Sequence, residues 1–278
     1  MSKILDPIIK IAKYTFVDEV RQRSFIIMFV ICALAILLFR GCYSSNFTVN
    51  GQTLDPEAMI SVVSKALFHM IAVGAMLLAA LLSMRVFRRD RDEGMQSCIL
   101  SKPVTRWQYV AGKIAALWIL SVIFMFVLHG IVFIMALVNL KIVMPNYLIA
   151  SLLCSLNLLF VVVATLLFSL MMPDIISFLS VTGIAILSFA ADGIVAISRS
   201  AMGQMMMHRS DSQSDLSVWN VLYYLWPKIS GTQRFASSLI GRGEMRDFWA
   251  FYPLINILVF ALILTAILFW RFSQEDIV

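Results

Sequence analysis

Residues 85–113 read RVFRRDRDEGMQSCILSKPVTRWQYVAGK, a charged stretch standing between two apolar runs, 61–84 and 114–138. Each run is longer than the about 18 residues that read as a helix crossing about 30 Å of hydrocarbon. Charges held between two such runs mark a loop at a membrane surface. That reading sets the class of the chain, because the remaining sequence repeats the pattern.

The sequence has 278 residues, 61% of them hydrophobic and 14% charged, with a mean hydropathy of +0.90. Soluble domains are about 45–50% apolar and about 25% charged, so a soluble fold of this size could not enclose so much apolar surface. The runs are continuous where barrel strands would alternate, and a helix satisfies its own backbone in lipid. Six spans follow: 24–39, 61–84, 114–138, 148–172, 175–197 and 251–270. The expected fold class is an all-α membrane protein, a single transmembrane domain over 1–278. The first span reads as a retained helix, since charges of both signs precede it and no A-x-A cleavage site follows.

Charge sets the orientation. Of the 22 Lys and Arg residues, thirteen gather in 3–23, in 85–113 and at Arg271; nine fall on the other side, six of them spread through 198–250. Dense positive loops stay in the cytoplasm. Both termini and 85–113 are therefore expected inside a bacterial-type cytoplasmic (inner) membrane, with 198–250 outside. The net charge of +6 serves topology; with no basic-aromatic patch and no DNA motif, nucleic acid is not a partner.

Within 3–23, Ile4, Ile8, Ile11, Ala12 and Thr15 recur at helical spacing, while Lys3, Asp6, Lys10, Lys13 and Arg21 lie largely elsewhere. This predicts an amphipathic interfacial helix on the bilayer surface. The segment 198–250 is too long for an idle connection. Its VWNVLYYLWPKIS is rich in the aromatics that collect at membrane interfaces, and short helices that dip into or lie on the outer leaflet are expected there.

Catalytic constellations are missing. Gly112-Lys113 lacks the glycine five positions earlier and has Ile114 where a phosphate loop needs Ser or Thr. No HExxH, GxSxG or Cys/His cluster with metal spacing occurs, so the chain is not read as an enzyme and carries no cofactor of its own. The four cysteines, Cys32, Cys42, Cys98 and Cys154, are scattered. The stretch MGQMMMH at 202–208 has the thioether and imidazole groups that suit Cu(I), but its spacing matches no recognised site and Met is also adaptable packing; no metal is assigned. Polar groups inside the spans are few: His69, His129, Asn157 and Asp192. They form a candidate substrate path in the outer half of the bundle, or serve interhelical hydrogen bonding and interface anchoring.

In the opening stretch, Pro103 disfavours helix at Lys102, and Thr105 can cap a helix running through Trp107 into the third span. A positive-inside loop alone accounts for the arginines but not for the acids, the ILSKPV break or the apolar turn. The expectation is a short cytoplasmic helix between two supporting helices.

The pattern E-G-M-x-S-x-I-L-S-K-P-V-T-R-W-x-Y-V-x-G-K resembles that of type-2 ABC exporter permeases, roughly E-x-G-T-x-x-x-L-L-S-x-P-V-S-R-x-x-x-x-x-G-K. Glu93, Gly94, Leu100, Ser101, Pro103, Val104, Arg106, Gly112 and Lys113 match, and Met95 stands where Thr is usual. The start, IAKYTFVDEVRQRSF, is also similar to that family's lead-in to its first span. The resemblance implies a dimer with a second permease copy or a homologous permease, each binding a separate cytoplasmic cassette ATPase that holds ATP and Mg. It also implies that the short helix couples ATPase closure to the permease. Ile99 and Leu100 would then be apolar anchors, with Arg88, Arg89, Asp90, Asp92 and Glu93 as partner charges and Gly94, Pro103 and Arg106 shaping the element. The alternative is a non-transport role, with ATPase strokes driving assembly or mechanotransmission for an extracytoplasmic partner.

Overall fold

The structure, a computed structural model, describes residues 2–38, 48–49, 52–53, 56–101, 104–140, 145–198, 226–240 and 251–274. Pro103, Cys42 and the 202–208 stretch lie outside the described residues, as does the side chain of Leu100. The elements are α1 (Ser2–Val20), α2 (Arg23–Leu38), a two-residue antiparallel pair β1 (Thr48–Val49) and β2 (Gln52–Thr53), α3 (Pro56–Ser83), α4 (Val86–Asp92), α5 (Met95–Leu100), α6 (Arg106–Leu140), α7 (Pro145–Met171), α8 (Asp174–Ser198), α9 (Ile229–Ser238) and α10 (Tyr252–Ser273).

Among the described residues, five stretches are long and apolar enough to cross a membrane: Val62–Asp92, Arg106–Val138, Asn146–Met171, Asp174–Val195 and Tyr252–Ser273. The expected first span is the 16-residue α2, about 24 Å long at 1.5 Å per residue, less than the about 30 Å core. It reaches spanning length only together with α1, from which it is bent by 65°. The count is thus five, or six with that bent pair.

Local chemistry sets the boundaries. Pro56 and Pro145 open α3 and α7, at the first helical position where no amide hydrogen is needed. Thr105 precedes α6, and its backbone N–H donates to Oε1 of Gln108 at 3.0 Å, the return half of a capping box. Pro173 turns α7 into α8, with Asp174 favourably placed in the first turn of α8. α4 ends at Glu93, and Gly94 adopts φ +68°, a left-handed conformation that glycine takes without steric cost. α5 therefore leaves α4 through a sharp turn.

The core sits around α7, where residues from Phe160 to Leu167 are all buried. α3, α6 and α10 pack against it, and α8 joins along its edge. α8 keeps Ile175, Leu179 and Ile186 exposed, as a lipid-facing helix does. Two ends of this bundle carry its polar chemistry: the loop end, with α1, α4 and α5, and the far end, with α9.

Candidate functional site

At the loop end, charges are sorted by helical face. Arg89 and Asp90 on α4 point inward. Arg89 Nη2 donates to Asp18 Oδ2 at 2.5 Å and to Glu19 Oε1 at 2.7 Å, joining α4 to α1. Asp90 Oδ2 accepts from the Tyr109 hydroxyl and pairs with Lys113 Nζ at 2.5 Å, joining α4 to α6. Lys113 and Asp90 are both buried. Phe87, Tyr109 and Phe272 stack within 5.3–6.3 Å of one another, and Arg106 Nη1 donates to the Ser273 carbonyl at 2.7 Å, so α10 ends in the same assembly.

The third side of the triangle is closed by a glycine. A Cβ on Gly112 of α6 would lie 2.8 Å from Ile11 Cγ2 and 3.1 Å from the Ile8 carbonyl, so α1 can press on α6 only because no side chain intervenes. α1, α4 and α6 are thus tied pairwise. This network holds two cations and three carboxylates, and its most enclosed acid is Glu19. Burial, which favours the neutral acid, outweighs the pull of Arg89 and pushes Glu19 up to about 7.

The opposite face of α4 is open. Arg85 and Arg88 reach Asp174 at 3.8 and 3.6 Å, Arg88 also pairs with Asp92 at 3.9 Å, and Asp92, Glu93 and Gly94 are exposed. Of the charges read from the sequence as partner-facing, Arg88, Asp92 and Glu93 remain at the surface; Arg89 and Asp90 are placed in internal pairing. Ile99 is half-buried and packs on the chain's own core. An apolar side chain in a short helix gains by covering itself, and here the cover comes from within the chain. Sequence reading missed Asp18 and Glu19 on α1, and the inward roles of Tyr109 and Lys113 on α6, because these groups meet α4 only in three dimensions.

At the far end, α9 is a polar helix set inside an apolar bundle: Ser230, Thr232, Gln233 and Ser237 are all buried. It is tethered to four helices. Asn157 Nδ2 of α7 donates to the Ile229 carbonyl at 2.9 Å. Ser188 of α8 donates to the Pro227 carbonyl at 3.0 Å, and Asp192 Oδ1 lies 3.8 Å from Lys228 Nζ. Asn256 Oδ1 of α10 accepts from the Lys228 backbone at 3.0 Å. His69 Nδ1 of α3 lies 3.4 Å from Gln233 Oε1. Asn157 stands about 18 Å along α7 from Pro145, so α9 enters the bundle instead of resting on it. Within the expected outer segment, the described residues 226–240 carry this inserted helix.

Three of the four candidate path residues, His69, Asn157 and Asp192, therefore meet on α9. His129 does not. It stacks on Phe68 at 4.7 Å and Nδ1 meets Ser151 Oγ at 2.8 Å, which is interhelical pairing. Below α9, an apolar cavity of about 240 Å³ opens between α3, α7 and α8, lined by Val73, Met76, Val161, Thr182, Ala185 and Phe189 among others. Among the described residues no group of three or more His, Cys, Asp or Glu could hold a metal.

A family model described as ABC-2 family transporter protein matches residues 9–277. No curated protein matches the chain.

Proposed function

Since the chain belongs to the ABC-2 family of transporter proteins, we propose that it is the membrane permease subunit of an exporter, working as a dimer with a cytoplasmic ATPase that binds ATP and Mg. In this reading the loop end faces the cytoplasm. α5 and the exposed charges Arg88, Asp92 and Glu93 meet the ATPase, and closure of the ATPase dimer pushes on them. The turn at Gly94 carries the reading: α5 hangs from it, while α4 is tied through Arg89 and Asp90 to α1 and α6. A push on α5 then moves three helices together instead of flexing one loop.

The residues expected to face a partner divide accordingly. Arg88, Asp92 and Glu93 act in recognition and register; Arg89 and Asp90 act inside the permease, passing on the movement. The substrate path runs through the bundle toward α9, which closes the outer end in this arrangement. Asn157 Oδ1 and Gln233 Nε2 are buried without hydrogen-bond partners among the described residues. Unmatched polar groups lower the cost of moving α9 away.

The test is Glu93→Lys. Reversing an exposed charge leaves the internal network intact, so folding and expression should stay normal while ATP-dependent transport and co-purification of the ATPase both weaken. Survival of both would end the coupling assignment.

A further inference from the structure

We propose that the outward side of α1 is a binding surface for anionic phospholipid headgroups. This rests on the reading above only in taking the loop end as the cytoplasmic leaflet.

At about 100° per residue, α1 divides into three sectors. Ile11, Thr15 and Glu19 form the buried one, seated on α6 and α4. A quarter-turn away lies an apolar sector, with Leu5 and Ile9 exposed at 45% and 60% and Phe16 half-buried beside them. Beyond it lies a basic sector of Lys10 and Lys13, both exposed, with exposed Val17 between them and exposed Arg21 in the turn after the helix. Asp6 also stands there and offsets part of the charge. No carboxylate among the described residues lies within ion-pair distance of Lys10 or Lys13, whereas Arg85, Arg88 and Arg89 at the same end are each paired within the chain.

The orientation of these sectors is fixed by the fold. Past the 65° bend, α2 presents Ile26, Ile27, Val30, Ile31 and Leu34 outward, an apolar face that suits the membrane interior. α1 starts from that boundary and is held by Gly112 and Arg89, so it cannot roll. Trp107 and Trp270 are exposed near the same end, where interfacial aromatics belong. With one side against α6, the apolar sector faces the acyl boundary and the basic sector meets headgroups. An interfacial helix with lysines beside its inserted stripe is drawn to anionic lipid by charge. A protein groove is the less fitting occupant, because Leu5 and Ile9 lie on the side toward the bilayer.

The experiment uses the full chain purified in detergent, with native mass spectrometry after adding phosphatidylglycerol or phosphatidylcholine. Wild type should keep phosphatidylglycerol preferentially, and 0.5 M salt should erode that preference. Lys10→Gln/Lys13→Gln should weaken it by about twenty-five-fold, at about five-fold per basic side chain near the surface. Arg271→Gln, at the end of α10, should leave it nearly unchanged. Equal retention of both lipids by wild type would overturn the proposal. So would an undiminished preference in the double variant. If the double variant misfolds, the salt titration of wild type decides: a preference indifferent to salt rejects the headgroup contact. The readout needs no ATPase, so failure here leaves the permease reading standing, and failure of the Glu93 test leaves this one standing.

Discussion

Lys113→Met removes one half of the most enclosed charge pair among the described residues. Lys113 Nζ and Asp90 Oδ2 are 2.5 Å apart, with side chains 0% and 3% exposed. Deleting one partner of a buried pair strands the other charge, at about 3–5 kcal/mol. That corresponds to between about a hundred-fold and several thousand-fold in the unfolding constant. Met keeps the volume and apolar stem of Lys, so cavity formation adds little. The double variant Asp90→Asn/Lys113→Met removes both charges, while the introduced amide oxygen can still accept from the Tyr109 hydroxyl. It should recover to within about 1 kcal/mol of wild type, since buried pairs replaced by neutral groups are often harmless. The assay is unfolding in mixed micelles at rising SDS, read for wild type, both single variants and the double. If Lys113→Met costs less than about 1 kcal/mol, Asp90 is hydrated and the pair is not the tie described. If the double is no better than the single, the loss comes from packing and not from charge.

Two further outcomes follow from the same geometry. Glu19, pushed up from its ordinary 4.5 to about 7, favours its neutral form when folded; its contribution is complete below about pH 4.5 and lost as pH rises through about 7. The opening energy of α1, read from hydrogen exchange after dividing out the intrinsic pH dependence, should therefore fall between about pH 4.5 and 7 by on the order of 3 kcal/mol, and Glu19→Gln should flatten the profile; an unchanged slope in the variant assigns the pH dependence elsewhere. Asp192→Asn removes the carboxylate that lies 3.8 Å from buried Lys228 and should cut transport at matched expression; full transport takes Asp192 out of the path.

The bundle was legible in the sequence because lipid enforces a simple rule, that long apolar runs become helices. The drawn span 114–138 fell within α6, whose longer range is Arg106–Leu140, and 175–197 against Asp174–Ser198 differs by one residue at each end. The first span was the exception, since α2 alone stops short of the required length and the bend at Gln22 carries no proline or glycine to announce it. At the loop end, residue types were legible but directions were not. RRDRDE looks uniformly solvated in one dimension, yet the α4 turn sends Arg89 and Asp90 inward and leaves Arg88 and Asp92 outside. Gly112-Lys113 could be dismissed as a broken phosphate loop, but neither the glycine's clearance nor the lysine's burial can be read without α1 beside it. The convergence of His69, Asn157 and Asp192 was partly visible, as polar groups in apolar runs. Their common partner, α9, was hidden because ISGTQRFASS is short and mostly polar, its apolar side reduced to Ile229, Phe235 and Ala236, and it reads as surface.

The clearance at Gly112 also bears on the order of synthesis. α1 leaves the ribosome about ninety residues before the glycine that receives it, a wait of roughly 5–20 s at about 5–20 residues per second. Throughout that interval Thr15 and Glu19, sealed in the finished protein, have neither α4 nor α6 to cover them. The helix must be parked with its future inner side facing water, and the lysines and exposed aliphatics of its other sectors are what can hold it to the bilayer until the seat arrives. Assembly of this end is then a docking of late helices onto an early one, and a side chain at position 112 would act first as a defect in biogenesis, before any loss of transport could be measured.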